Sequence, residues 1–322
     1  MKAIRVHQSG GPEVLRLEEV PEPSASAGEA VVAIDAVGVN YIDVYFRTGG
    51  YKMSLPFTPG LEAAGTVVSV APDVTEVKTG DKVAYTSVPG AYAQFAAVPA
   101  RRLVVLPAGV TTQQAAAAML QGMTAHYLVV STRPLAKGDT CLVHAAAGGV
   151  GLLLCQIAKL RGARVIGTVS TEDKAALARR AGADEVILYS QQDFAAEVKR
   201  LTGGDGVEVV YDGVGKTTFE KGLGCLKPRG TMVLFGQASG AVAPFDPQVL
   251  NARGSLFLTR PKLDDYIRSR EELLARAGEL LGWIRDGKLV LRVEHEYPLA
   301  DAAQAHRALE GRKTTGKILL VP

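Results

Sequence analysis

The chain has 322 residues, 47% of them apolar and 21% charged, which suits two packed domains and excludes a disordered chain. Lys and Arg outnumber Asp and Glu by only 36 to 33, a net charge of +3. With no basic tail, that balance argues against nucleic acid as the main partner. Cys141, Cys155 and Cys225 are too few for a disulfide scaffold and lack zinc spacing; they predict a reducing, cytoplasmic setting. The opening MKAIRVHQSGG predicts no secretory signal, and no apolar run reaches the ~18 residues of a membrane span.

In chain order, residues 1–110 read as β-rich. Valine- and alanine-rich runs at 30–36, 65–70, 82–86 and 92–98 predict short strands, set apart by turns such as Ala71-Pro72-Asp73 and Thr79-Gly80-Asp81. Such close spacing suggests a barrel or curled sheet. Residues 112–130, rich in Ala, Met and Leu and free of Pro, predict a long helix. Strands then alternate with helices: strands at 141–144, 164–168, 185–188, 207–211 and 231–235, helices at 149–160, 174–181 and 194–201. That alternation implies a parallel sheet covered on both faces. Next come a long helix over 264–286, anchored by Trp283, a strand at 292–297, a helix over 301–311 and a last strand at 317–321. The fold class is α/β. A β-rich domain spans 1–120, a doubly wound parallel-sheet domain spans 121–260, and 261–322 return to the first domain.

The sharpest motif is the strand-turn-helix around Ala146-Ala-Gly-Gly-Val-Gly151. It is a dinucleotide fingerprint with alanine in the first glycine place. Ala147, Gly148, Gly149 and Val150 would lie against a pyrophosphate, and Gly151 would let the helix pack closely on the sheet. The plainer reading is a tight turn with no ligand. An NAD site would put an acidic residue at the end of the next strand; Ser170 stands there, with Lys174 four residues on. Serine and lysine suit a 2′-phosphate, which favours NADPH. Glu172 and Asp173 weigh against it unless they point away, and Lys174 could be no more than a solvated helix face.

Several segments together resemble the medium-chain dehydrogenase/reductases, in their quinone oxidoreductase, zeta-crystallin-like branch. They are Gly38-Val-Asn-Tyr-Ile-Asp43, Pro59-Gly-Leu-Glu-Ala-Ala-Gly65, Gly80-Asp-Lys-Val83, Gln121-Gly-Met-Thr-Ala125, His144-Ala-Ala-Ala-Gly-Gly-Val-Gly151, Tyr211-Asp-Gly-Val-Gly215 and Gly316-Lys-Ile-Leu-Leu320. The resemblance covers essentially the whole chain. It implies a GroES-like domain, a Rossmann domain and a homodimer joined through the Rossmann sheets. Zinc-dependent cousins place cysteine and histidine where this chain has Asn40 and Leu61, and their structural zinc lobe is missing. No metal is therefore expected.

The resemblance also assigns residues. Thr124 would meet the ribose or nicotinamide side, Lys174, Tyr189 and Arg312 the 2′-phosphate with Ser170 leaving room, and Phe257 to Thr259 the carboxamide. Phe235, Gly236, Gln237 and Ser239 would close the end of a sheet strand. Core packing is the alternative for Tyr189 and Phe235, and a surface charge for Arg312. Asn40, Tyr45, Tyr51 and Thr124 would line the substrate side, Asn40 also touching the cofactor. The aromatic stretch 40–51 suits a planar quinone or enone, although some of its rings could be ordinary core. Asn40 or Tyr51 could hydrogen-bond the carbonyl that gains charge as hydride arrives. His144 and His126 read as packed residues, and Cys141 and Cys155 as buried ones.

The expected activity is zinc-independent hydride transfer from NADPH to a quinone. An alternative is reduction of an activated carbon–carbon double bond, as in a 2-alkenal or enone. A further alternative, of a different class, is an NADPH-binding structural or RNA-associated protein with little turnover.

Overall fold

The computed structural model describes residues 1–311 and 314–322. Two compact units divide it: Met1–Met123 with Tyr266–Pro322, and Thr124–Asp265.

The first unit opens with an antiparallel pair, β1 (Lys2–Arg5) and β2 (Arg16–Glu19), which polar side chains hide in the sequence. β3 (Glu29–Val39) leads into α1 (Tyr41–Arg47), and β4 (Glu62–Val70), β5 (Lys82–Thr86), β6 (Phe95–Pro99) and β7 (Val104–Val105) follow. β3 takes β4 along one edge; on the other it pairs first with β6 and then, at Val37–Val39, with the last strand of the chain. Register shifts at Val31/Val32 and Ile34/Ala36 bend it, as bulges do. The strand expected at 92–98 begins at Phe95, because the Tyr92 backbone is taken by other segments, its N–H bonded to Pro59 O and its carbonyl to Ile4 N. Val32, Val37, Val67, Tyr85, Val98 and Leu320 fill the core of this unit.

α2 (Thr112–Tyr127) keeps α geometry only to Tyr127, short of the expected 130, and Leu128–Thr132 form a π-helical turn. Val129, Val130 and Thr132 are β-branched and fit an α turn poorly.

The second unit runs β8 (Thr140–Val143), α3 (Gly149–Leu160), β9 (Arg164–Val169), α4 (Glu172–Arg180), β10 (Glu185–Leu188), α5 (Phe194–Leu201), β11 (Val207–Asp212), α6 (Phe219–Leu223), β12 (Leu226–Leu234), α7 (Gln248–Ala252) and β13 (Phe257–Thr259). The strands form one six-stranded sheet in the order β10-β9-β8-β11-β12-β13, every neighbour parallel. The chain winds outward from β8 on one side and from β11 on the other, a Rossmann arrangement with its switch point between those strands. Leu142, Ile166, Ile187, Val210 and Met232 pack its core against Phe194, Val198 and Phe219 of the helices.

The helix expected over 264–286 is two pieces, α8 (Leu263–Tyr266) and α9 (Arg270–Arg285). Ser269 starts the second: its Oγ accepts from Glu272 N at 3.1 Å, and Glu272 accepts from Ser269 N at 3.3 Å, a reciprocal capping box. Trp283 lies half-buried on α9. β14 (Val293–Pro298), α10 (Ala302–Glu310) and β15 (Lys317–Val321) complete the first unit, where the sheet order is β14-β15-β3-β4-β5-β7 with β6 also on β3. No helix among the described residues is long and apolar enough to cross a membrane.

Candidate active site

In the second unit the expected cofactor residues gather at the carboxyl ends of the parallel strands, where ligands bind in such sheets. The turn from β8 to α3 is tight: Gly148 N donates to Ala145 O at 2.8 Å, and Ala145 sits at φ 52°, a strained value for a residue with a side chain. A Cβ on Gly151 would lie 2.2 Å from Ala145 O, whereas one on Gly148 would meet only that same oxygen, at 3.1 Å. Gly151 is therefore demanded by packing, and Gly148 leaves open space beside the first amides of α3. Those amides lack helical partners, so the turn fits a pyrophosphate.

Ser170 follows β9 directly, and its carbonyl accepts from Ser190 Oγ at 2.8 Å. Tyr189 follows β10, in register with Ser170, and is 46% exposed. Lys174 stands in the first turn of α4, whose cap is the Thr171 hydroxyl. Ser170 and Tyr189 thus stand at the ends of two neighbouring parallel strands, with Lys174 in the first turn of the helix that follows Ser170. Glu172 pairs with Arg179 at 2.6 Å, both exposed on α4, so its charge is spent along the helix. Arg312 lies outside the described residues.

Phe235, Gly236, Gln237 and Ser239 form the loop after β12. Phe235 N donates to Asp212 O at 2.9 Å, and Ser239 Oγ donates to Val214 O at 2.8 Å, so this loop is tied to the one after β11. Asp212, which the sequence reading assigns no role, holds the second loop together: its carboxylate accepts from Val214 N at 2.7 Å and Gly215 N at 3.0 Å, and the Thr218 hydroxyl reaches it at 2.8 Å. Thr259 ends β13. Phe257 begins that edge strand and is 61% exposed. Thr124 is buried on α2.

In the first unit Asn40 caps α1, and Tyr45 and Tyr51 stand together, ring centroids 5.1 Å apart, with Tyr41 and Phe46 edge-on to them. Asn40 is 2% exposed and its amide is fully engaged. Nδ2 donates to Gly38 O at 3.0 Å and to Glu62 Oε2 at 2.8 Å, while Oδ1 accepts from Lys317 Nζ at 2.9 Å. A bond from this amide to a substrate carbonyl would have to replace one of these.

Glu62 and Lys317 form a buried ion pair. A buried chain runs on from Asn40, whose N–H donates to Asp43 Oδ2 at 2.8 Å; the Tyr92 hydroxyl donates to the same oxygen at 3.1 Å and lies 3.0 Å from His306 Nε2. Arg47 Nη1 approaches His306 Nδ1 at 3.1 Å and grips Glu310 through both carboxylate oxygens. Arginine only donates and the tyrosine proton is taken, so the partners assign the His306 proton to Nε2. Burial dominates the acidities here. It raises Asp43 to about 7, against its bonds to Asn40 and Tyr92, and lowers His306 to about 3. Burial also lowers Lys317, with Glu62 opposing.

Sequence reasoning missed Glu62, Lys317 and Asp43 as parts of one assembly. The signal is faint: a single charge in the Glu62–Val70 strand and a single lysine opening Lys317–Val321. His144 reads blandly, its Nδ1 2.9 Å from Thr168 Oγ1 and its ring edge-on to Phe194. The three cysteines are buried and free, and burial pushes the Cys155 and Cys225 thiols up to about 12, which rules out thiolate chemistry near neutrality.

Comparison with known proteins agrees with this architecture. Residues 26–108 match the alcohol dehydrogenase GroES-like domain and residues 149–271 the zinc-binding dehydrogenase family. The chain is 45% identical to quinone oxidoreductase 1 of Escherichia coli, over 99% of each chain. It is 42% identical to a 2-haloacrylate reductase of Burkholderia, over 99% of this chain and 98% of that one. The structure of an Escherichia coli quinone oxidoreductase complexed with NADPH superposes with a TM-score of 0.98 at 44% identity, covering 100% of both chains. With relatives this similar over their full length, the chain belongs to the quinone oxidoreductases, a branch of the medium-chain dehydrogenase/reductase superfamily that joins a GroES-like unit to a Rossmann unit.

Proposed function

We propose that this protein is a cytoplasmic, zinc-independent NADPH:quinone oxidoreductase. The observation that carries the cofactor choice is the placement of Ser170 and Tyr189 just past the ends of β9 and β10, with Lys174 in the first turn of α4, in the unit that also carries a fingerprint turn with room at Gly148. No carboxylate occupies the Ser170 position, where one would repel a 2′-phosphate, and Lys174 supplies the countercharge. Ala147 to Val150 would hold the pyrophosphate, and Thr124, the 235–239 loop and Phe257 to Thr259 the nicotinamide half. Arg312 is proposed as a further 2′-phosphate donor by family resemblance. When bound, NADPH would supply the hydride. The chain's own task is to orient the acceptor and stabilise charge on its oxygen.

Tyr45 and Tyr51 form the proposed acceptor wall, and the Tyr51 hydroxyl is the proposed donor to the carbonyl oxygen. Asn40 takes part as the cap that starts this wall. Metal independence is supported by residue chemistry: neither Asn40 nor Leu61 offers a thiolate or imidazole, and a buried ammonium, Lys317, is bonded to Asn40. Reduction of an activated double bond is the second reading, favoured by the 2-haloacrylate reductase among the relatives. A homodimer is supported by β13, an edge strand whose Phe257 is 61% exposed; pairing with a second copy would cover both. Sedimentation should give twice the chain mass, and Phe257→Asp should return the monomer.

The test is oxidation of NADPH and NADH, followed at the nicotinamide absorbance, against a benzoquinone, a naphthoquinone, a 2-alkenal and a simple aldehyde, with and without chelator. Chelator-resistant quinone turnover with NADPH is expected. Preference for the alkenal would move the function to double-bond reduction. Chelator-sensitive turnover of the aldehyde would sink the metal-free reading, and binding of NADPH without turnover would leave a binding protein.

A further inference from the structure

The Glu62–Lys317 pair sits where several segments of the first unit converge. Glu62 opens β4; one carboxylate oxygen takes the Lys317 ammonium of β15 and the Asn40 amide, and the other accepts from Leu120 N of α2 at 2.6 Å. Lys317 reaches across to Asn40 Oδ1 as well. β3 enters the same point through Gly38, where a Cβ would fall 2.2 Å from the Glu62 carboxylate and 2.4 Å from Ala116 O. Only a residue without a side chain lets the strand pass so close.

A buried ion pair is a poor source of net stability, because desolvation offsets the attraction; apolar side chains of similar volume do as well or better. What it does supply is direction. Each bond here has a defined donor and acceptor, and together they tie the start of α1 to the middle of α2. Tyr45 and Tyr51 hang from α1 and its exit.

We propose that Glu62 and Lys317 are positioning residues for the reaction: a buried clasp that holds Asn40, and through it the Tyr45–Tyr51 wall, in register with α2. This rests on the reading of Asn40 to Tyr51 as the acceptor side. The clasp acts on the acceptor geometry and leaves the cofactor's phosphate half, held by the second unit, untouched.

The test compares wild type with Glu62→Gln, Lys317→Met and the double variant. Melting temperature, NADPH Kd by nicotinamide fluorescence, and kcat and KM are measured with 1,4-benzoquinone and with 2-chloroacrylate. Each single change strands one buried charge, so its melting temperature falls. The double variant removes both charges and recovers most of that loss, and it keeps the test readable if a single variant does not fold. Its kcat stays about 10–100-fold low, as expected for a displaced acceptor, because methionine cannot donate to Asn40 Oδ1; NADPH Kd stays within about twofold. A purely structural role predicts the opposite: kcat returns with the melting temperature, and that result overturns the proposal. Wild-type turnover of the acrylate but not the quinone would sink the quinone reading alone, since the clasp is then read on the acrylate. A wild type that uses neither overturns both.

Discussion

Lys174 carries the cofactor preference in one side chain. It stands in the first turn of α4, the helix that follows Ser170 at the end of β9. A lysine contact to phosphate contributes about 1.5–3 kcal/mol. Lys174→Ala should therefore weaken NADPH by about 10–100-fold and leave NADH unchanged, as read by fluorescence titration. Equal loss for both cofactors would remove Lys174 from the 2′-phosphate. Tyr51 is the matching residue on the acceptor side. Tyr51→Phe keeps the ring against Tyr45, 5.1 Å away, and deletes only the hydroxyl. It should lower kcat for quinone by about 100-fold, the scale of one lost donor to a developing oxyanion; unaltered kcat would mean that solvent or another group does this work.

At the level of elements, the fingerprint turn shows local sequence and packing demanding the same residue. Gly151, in the first turn of α3, packs against the turn that leaves β8, with no space for a methyl: its Cβ would sit 2.2 Å from Ala145 O. Gly151→Ala must push the helix off the strand. The expected cost is about 1–3 kcal/mol, read as a lower melting temperature, together with weaker binding of NADPH and NADH alike. That pattern separates it from Lys174→Ala. Helix α1 teaches a different lesson. Its aromatic residues point in the sequence to a ligand wall, but that stretch forms a helix because Asn40 and Asp43 cap it. A cap is legible only once the helix behind it is suspected.

For the molecule as a whole, the buried network makes a prediction about pH. Asp43 is raised by burial to about 7, and His306 is lowered by burial to about 3. Folding thus stabilises a protonated Asp43, a contribution present below pH ~4 and lost as pH rises through 7. It stabilises a neutral His306, a contribution present above pH ~6.5 and lost as pH falls towards 3. Between pH ~4 and ~6.5 folded and unfolded chains hold the same number of protons on this pair, and the two slopes cancel. Asp43→Asn removes one of them. The variant's stability should then fall by about 1.4 kcal/mol for each pH unit below 6.5, by urea unfolding across that range, while this pair adds no slope in the wild type. Parallel curves for the two proteins would show that these groups do not titrate as their burial implies.

The sequence by itself determined the Rossmann unit. Five of its six strands, the helices over 149–160, 174–181 and 194–201 and the glycine turn follow from local periods of 2 and 3.6 residues, whereas α6, α7 and the edge strand β13 carry no such signal. It also located Ser170 and Lys174, because they follow the fingerprint at a distance that one strand dictates. Only the tertiary structure decided the rest. Glu62 and Lys317 lie 255 positions apart, and Arg47 and His306 259 apart, so no local pattern pairs them. β3 accepts three partner strands from distant parts of the chain. Burial then turns isolated charges into a single assembly, because a buried charge must find a partner wherever the fold brings one.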